Sequence, residues 1–236
     1  MTKRFGFTLA EVLITLGIIG VVAAMSIPTL IANTNSAKFR SQFKKTVATL
    51  NQAALMGQAQ YDYDFAGATT ASDLTKLDPK ANSSIAAMLS GTLAGVTITN
   101  SMKLVDNTTP YSPELKSITA PGTPFYAKLA DGSLFVFNSA AVNCTVDPGT
   151  APKDYIADLN NDGCIGWIDV NGVTMPNAEI KCNGASGATD AALFNDNDCQ
   201  VKNDAAQMKD VFTVVYHDGI VEPASNAARY VLSAAK

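Results

Sequence analysis

Apolar residues crowd the start of this chain and then change their spacing. From Val12 to Ser36 no residue is charged, and Val12 to Ile31 holds eleven Val, Leu or Ile. A helix of about 20 apolar residues spans a bilayer, and at roughly 0.3 to 0.6 kcal/mol each these eleven side chains favour insertion by about 3 to 7 kcal/mol. Beyond the run, Phe39, Phe43, Val47, Leu50 and Ala54 recur at three- and four-residue steps, with Lys38, Arg40, Lys44 and Lys45 between them. That is a helix with one buried stripe. Pro28, helped by Gly17 and Gly20, marks where the apolar part is expected to kink or partly unwind. One helix from Phe7 to about Gln58 would be roughly 78 Å long at about 1.5 Å per residue, so its second half, over 32–60, has to pack on a domain outside the membrane.

Further on, the period changes from helical to alternating. Phe125–Leu129 and Ser133–Phe137 flank Ala130-Asp131-Gly132 and predict a β-hairpin with a glycine turn. Val211–Tyr216 and Ile220–Val221 flank His217-Asp218-Gly219 and predict a second, closed by Pro223. Cys164–Val170 reads as a further strand, Val96–Thr99 as a short strand or loop, and Ser84–Ser90 as a short helix. The fold class that follows is α+β: a long N-terminal helix, membrane-spanning in its first half, packed on a small antiparallel sheet.

Composition narrows the function. With 47% hydrophobic and 16% charged residues the chain is not intrinsically disordered. Its 17 Lys and Arg stand against 21 Asp and Glu, so no nucleic-acid partner held through phosphates is expected. The sequence has no Gly-x-Ser-x-Gly elbow, phosphate loop or His-Glu-x-x-His. Its one histidine, His217, reads as a surface turn residue. No catalytic residue is assigned and no enzyme is expected.

What precedes the apolar run is the most specific signal. Lys3-Arg4-Phe5-Gly6, then Phe7-Thr8-Leu9-Ala10-Glu11, then Val12–Ile31 resemble the class III signal of type IV pilins and type II secretion pseudopilins. The resemblance implies a leader over 1–6, cut between Gly6 and Phe7 by a prepilin peptidase and followed by methylation of the Phe7 amine. It implies a transmembrane and polymerisation helix over 7–31, and a globular domain over 61–236 that faces the periplasm or the outer surface. Lys3 and Arg4 hold their end in the cytoplasm. Glu11, a carboxylate at the edge of a lipid segment, would attract the N-terminal amine of a neighbouring copy during assembly. Implied partners are copies of the chain and other pilins, and the inner-membrane assembly platform and ATPase. The location is the inner membrane before assembly and a pilus or pseudopilus after it. A minor or tip subunit that binds or adheres is one alternative. Another is a secreted calcium-binding domain released by ordinary signal cleavage near Ala23, Ala24 and Ser26.

Two features of the globular part bear on stability and ligands. Cys144, Cys164, Cys182 and Cys199 all lie outside the membrane segment, where disulfides form; of the three possible pairings, Cys144 with Cys164 and Cys182 with Cys199 is expected. Asp158, Asn160, Asp162, Cys164 through its carbonyl, and Asp169 have the spacing of an EF-hand-like calcium loop with Gly163 at its turn, and calcium is the one cofactor expected. An Asx-rich turn without an ion fits the same residues. More loosely, Asp169-Val170-Asn171-Gly172, Pro176-Asn177, Asp210-Val211-Phe212 and Asp218-Gly219 resemble the C-terminal part of bacterial pilin-like proteins. Against that pattern, 178–209 is an insertion, stapled if Cys182 pairs with Cys199.

Overall fold

The computed structural model describes residues 8–115, 118, 122–183, 193–195 and 199–233. Helix α1 (Leu9–Tyr61) takes in 53 residues and ends at Asp62, whose left-handed φ of 62° turns the chain back. At about 1.5 Å per residue it is roughly 80 Å long. Pro28 lies inside it, and the helix continues through that position without the expected unwinding. The proline ring removes one N–H, but the turns on either side persist, tied by the Ser26 and Thr29 hydroxyls to the Val22 and Ser26 carbonyls at 2.9 Å each.

The rest of the chain folds around the second half of α1. In order follow α2 (Ile85–Thr92), β1 (Thr97–Thr99), β2 (Pro124–Lys128), β3 (Leu134–Asn138), α3 (Pro152–Asn161), β4 (Ile165–Asp169), β5 (Val211–His217), β6 (Ile220–Pro223) and α4 (Asn226–Ser233). The strands form one six-stranded sheet in sequence order, every neighbour antiparallel. Both expected hairpins are present as β2–β3 and β5–β6, and the expected strand after Cys164 is β4. Helices α3 and α4 are additions that the sequence pattern did not announce.

Side-chain alternation places α1 on one face of the sheet. Phe43 stacks on Phe212 with ring centroids 4.1 Å apart, and Phe135, Phe137 and Tyr216 line the same face. Gly166 sits among them because a Cβ there would lie 2.0 Å from the Val136 carbonyl oxygen. Covered too is the opposite face, where Tyr111 packs edge-on against Tyr126, while the 178–180 backbone pairs in plane with the edge of β5 through the Ile180 N–H to Val211 carbonyl bond of 3.0 Å. Covering both faces buries all of β4 and β5, including the polar residues Asp169, Thr213 and His217. Cys144–Cys164 ties the chain after β3 to the start of β4, and Cys182–Cys199 closes the 178–209 segment on itself. This is the pairing the sequence led us to expect.

Candidate functional site

The two halves of α1 have opposite surroundings. Among the described side chains Ser36 is its first buried one, after which Phe39, Phe43, Val47, Leu50 and Ala54 sink into the core. Among the described side chains from Leu9 to Asn35 none is buried. An 18-residue window of this stretch has a mean hydropathy of 2.2, long and apolar enough to cross a membrane by length and composition. Water would charge heavily for that surface at about 25 cal/mol per Å²; a lipid or helix partner removes the cost.

At the free end, Thr8 caps the helix and Glu11 closes a capping box. The Thr8 N–H and hydroxyl each donate to Glu11 Oε2 at 2.8 Å, and the Glu11 N–H donates back to Thr8 Oγ1 at 3.2 Å. Glu11 therefore sits in the first turn, where a carboxylate complements the helix dipole. Gly6 and Phe7, the expected cleavage and methylation residues, lie outside the described residues.

The calcium loop expected from Asp158, Asn160, Asp162, Cys164 and Asp169 does not form. Asp158 and Asn160 belong to the last turn of α3, and the Asp162 N–H bonds the Asp158 carbonyl at 2.9 Å as a helix end does. The Cys164 carbonyl is already taken by the Tyr216 N–H at 3.1 Å. Extended strand at roughly 3.3 Å per residue carries Asp169 about 16 Å beyond Cys164. Asp-x-Asn-x-Asp-Gly is here a helix C-terminus, finished by Gly163 at φ 76°. Among the described residues no three His, Cys, Asp or Glu side chains gather as a metal cage.

What the fold brings together instead are the pieces of the looser C-terminal resemblance. Asp169 accepts the Tyr111 hydroxyl at 2.7 Å and the Asn171 N–H at 3.2 Å. Asp210 accepts the N–H groups of Asn177 and Ala178, each at 2.9 Å. Burial pushes the Asp169 carboxyl up to about 8; the Tyr111 bond opposes this and the nearby Asp210 charge adds to it. Asp210 is likewise raised by burial, against the pull of its backbone donors. These residues fall far apart along the chain, so only the closing of β4 on β5 reveals them as neighbours.

His217 is buried and not on a surface turn. It ends β5 with Nδ1 2.8 Å from Asp218 Oδ2 and Nε2 3.5 Å from Glu222 Oε1. Tyr155 of α3 covers its ring and donates its hydroxyl to Glu222. These contacts fasten α3 to the β5–β6 hairpin.

A long helix, half exposed and apolar and half packed on an antiparallel sheet, defines a pilin-like α+β protein. Residues 1–27 match the prokaryotic N-terminal methylation motif, a prepilin-type signal. Searches of curated proteins and of solved structures each return no match.

Proposed function

We propose that this chain is a structural filament subunit, a type IV pilin-like protein or a type II secretion pseudopilin. In this reading prepilin peptidase removes residues 1–6, the Phe7 amine is methylated, and the subunit waits in the inner membrane with its globular domain in the periplasm. Assembly then exchanges the lipid around the exposed half of α1 for the helices of other copies, with Glu11 setting register through a neighbour's N-terminal amine. One observation carries the reading: the methylation motif at 1–27 takes in the start of a helix whose apolar half has no buried side chain among those described while its other half is core. Pilin-like proteins of this kind are generally structural, and no enzymatic role is assigned.

The 178–209 segment favours a second reading within the same class. It is an elaboration closed by its own disulfide, and such loops carry recognition, as a minor or tip subunit that binds or adheres requires. Mass spectrometry of the membrane-derived protein tests the main reading: a chain beginning at methylated Phe7 supports it, and a soluble chain beginning near Ser26 overturns it. Abundance in sheared filaments separates a major from a minor subunit.

A further inference from the structure

The foot of the globular domain lies where α1 leaves its apolar stretch, and distance along the helix measures depth. Val12–Ile31 is twenty residues, which at about 1.5 Å each matches the ~30 Å hydrocarbon core of a bilayer. Asn35 then stands about 6 Å beyond the hydrocarbon and Phe39 about 12 Å. Each headgroup layer is about 5–7 Å thick, since the two bring the bilayer to about 40–45 Å. Asn35 therefore falls within that layer and Phe39 just above it.

Two clefts open on this stretch of α1. Asn35, Lys38, Phe39 and Met175 help to line one of about 350 Å³; Asn35, Phe39, Met175, Met208 and Lys209 help to line another of about 230 Å³. Met175 is the ridge between them. Its side chain is 67% exposed, and beyond α1 the described residues expose only Val105 and Ile220 as further large hydrophobics. A flexible thioether beside the anchor suits the boundary between water and lipid.

Charge separates along the same axis. From Val12 to Tyr61 the chain carries Lys38, Arg40, Lys44 and Lys45 and no acid, whereas 62–236 holds 11 Lys and Arg against 20 Asp and Glu. Lys45 pairs with Asp131 of the β2–β3 turn at 2.9 Å. Among the described residues no ion pair engages Lys38, Arg40 or Lys209. Lys209 Nζ donates only to a neutral group, the Ala205 carbonyl, at 2.6 Å. Arg40 donates one nitrogen to Asn203 Oδ1 at 3.1 Å, and its Nη1 is buried without a partner.

We infer that this foot, the Met175 ridge with Lys38, Arg40 and Lys209 around it, seats on the headgroups of an anionic phospholipid leaflet while the subunit is anchored. Met175 enters the headgroup layer, and the basic groups pair with lipid phosphates. The same surface repels the acidic remainder of the domain, so the charge separation orients the domain as well as holding it. Each Lys or Arg near such a surface favours the seated arrangement roughly fivefold. Seating of this kind rests on the membrane-anchored reading of α1.

Full-length protein, one chain per nanodisc, tests both. All four cysteines are in disulfides, so one added thiol carries a fluorescent probe. At Met175→Cys the probe should be blue-shifted and quenched by a headgroup nitroxide, about twofold or more strongly in discs with one part phosphatidylglycerol to three of phosphatidylcholine than in phosphatidylcholine alone. At Leu55→Cys, exposed but about 30 Å further along α1, it should respond to neither. Lys38→Glu with Lys209→Glu should abolish the phosphatidylglycerol dependence. A probe at Val22→Cys, quenched by a nitroxide on the acyl chains, reports the span itself. With Val22 in the acyl layer, a Met175 probe as wet as the Leu55 probe would overturn the seating and leave the anchor. A Val22 probe outside the acyl layer would overturn both. Quenching at Met175 that is equal in the two lipids and unchanged by the double reversal would overturn the pairing with anionic headgroups. A Met175 probe that leaves water only in discs holding two chains would overturn it too, by giving the ridge to a second copy.

Discussion

Tyr111 shows how one hydroxyl supports a buried acid. Its bond to Asp169 is 2.7 Å long, while its ring stands edge-on to Tyr126 at 5.9 Å. Tyr111→Phe keeps the ring and removes the donor, so urea unfolding should show a loss of about 1–3 kcal/mol, the cost of leaving a buried acceptor short of a partner. His217 gives a dependence on pH. Burial lowers its pKa, but the bonds from Glu222 and then Asp218 outweigh burial and raise it overall. A raised histidine contributes stability that is fully present below its unfolded value, about 6.5, and is lost as pH rises through the folded value. Unfolding midpoints followed from pH 5.5 to 9 should therefore fall more for the parent than for His217→Gln; parallel curves would remove the ion pair from the account.

At the scale of elements, the joint between helix and sheet rests on aromatic packing. Phe43 is fully buried and lies flat on Phe212, with 10° between the ring planes. Phe43→Ala should cost about 3–5 kcal/mol, seen as a lower denaturant midpoint with helix content retained in the surviving folded fraction. This joint was legible in advance, because Phe39, Phe43, Val47 and Leu50 keep a helical period and the strands around Phe135 and Phe212 are bounded by glycine turns. Helix α3 was not legible. Asp158, Asn160 and Asp162 are turn formers by composition, and what makes them helical is tertiary: Ile156 and Leu159 are buried and the disulfide fixes Cys164 just beyond. Asp169, Asn177 and Asp210 were grouped in advance only by the looser C-terminal resemblance; that they touch was not legible, since they meet through pairing across the sheet, and local spacing drew Asp169 toward Asp158, Asn160 and Asp162 as well.

Across the whole molecule, stability and assembly reside in different halves of one helix. The core begins at Ser36, and no described side chain from Leu9 to Asn35 is buried; the exposed half therefore adds nothing to the fold that its loss would remove. A chain of residues 34–236 should stay in solution without detergent, sediment as a monomer and melt within about 3 °C of the full-length protein, since 1 kcal/mol shifts a domain of this size by roughly 2–4 °C. Circular dichroism and sedimentation velocity check both halves of that statement. If the shortened chain melts far lower, the apolar half braces the domain from within, and the division of labour along α1 is wrong. If it melts at the same temperature yet still self-associates, subunit contacts lie on the globular domain as well as on the helix. Folding and melting unchanged, with association lost, is the result expected of a helix that carries its core along one half and offers the other, with Glu11 near its tip, to lipid first and to other subunits afterwards.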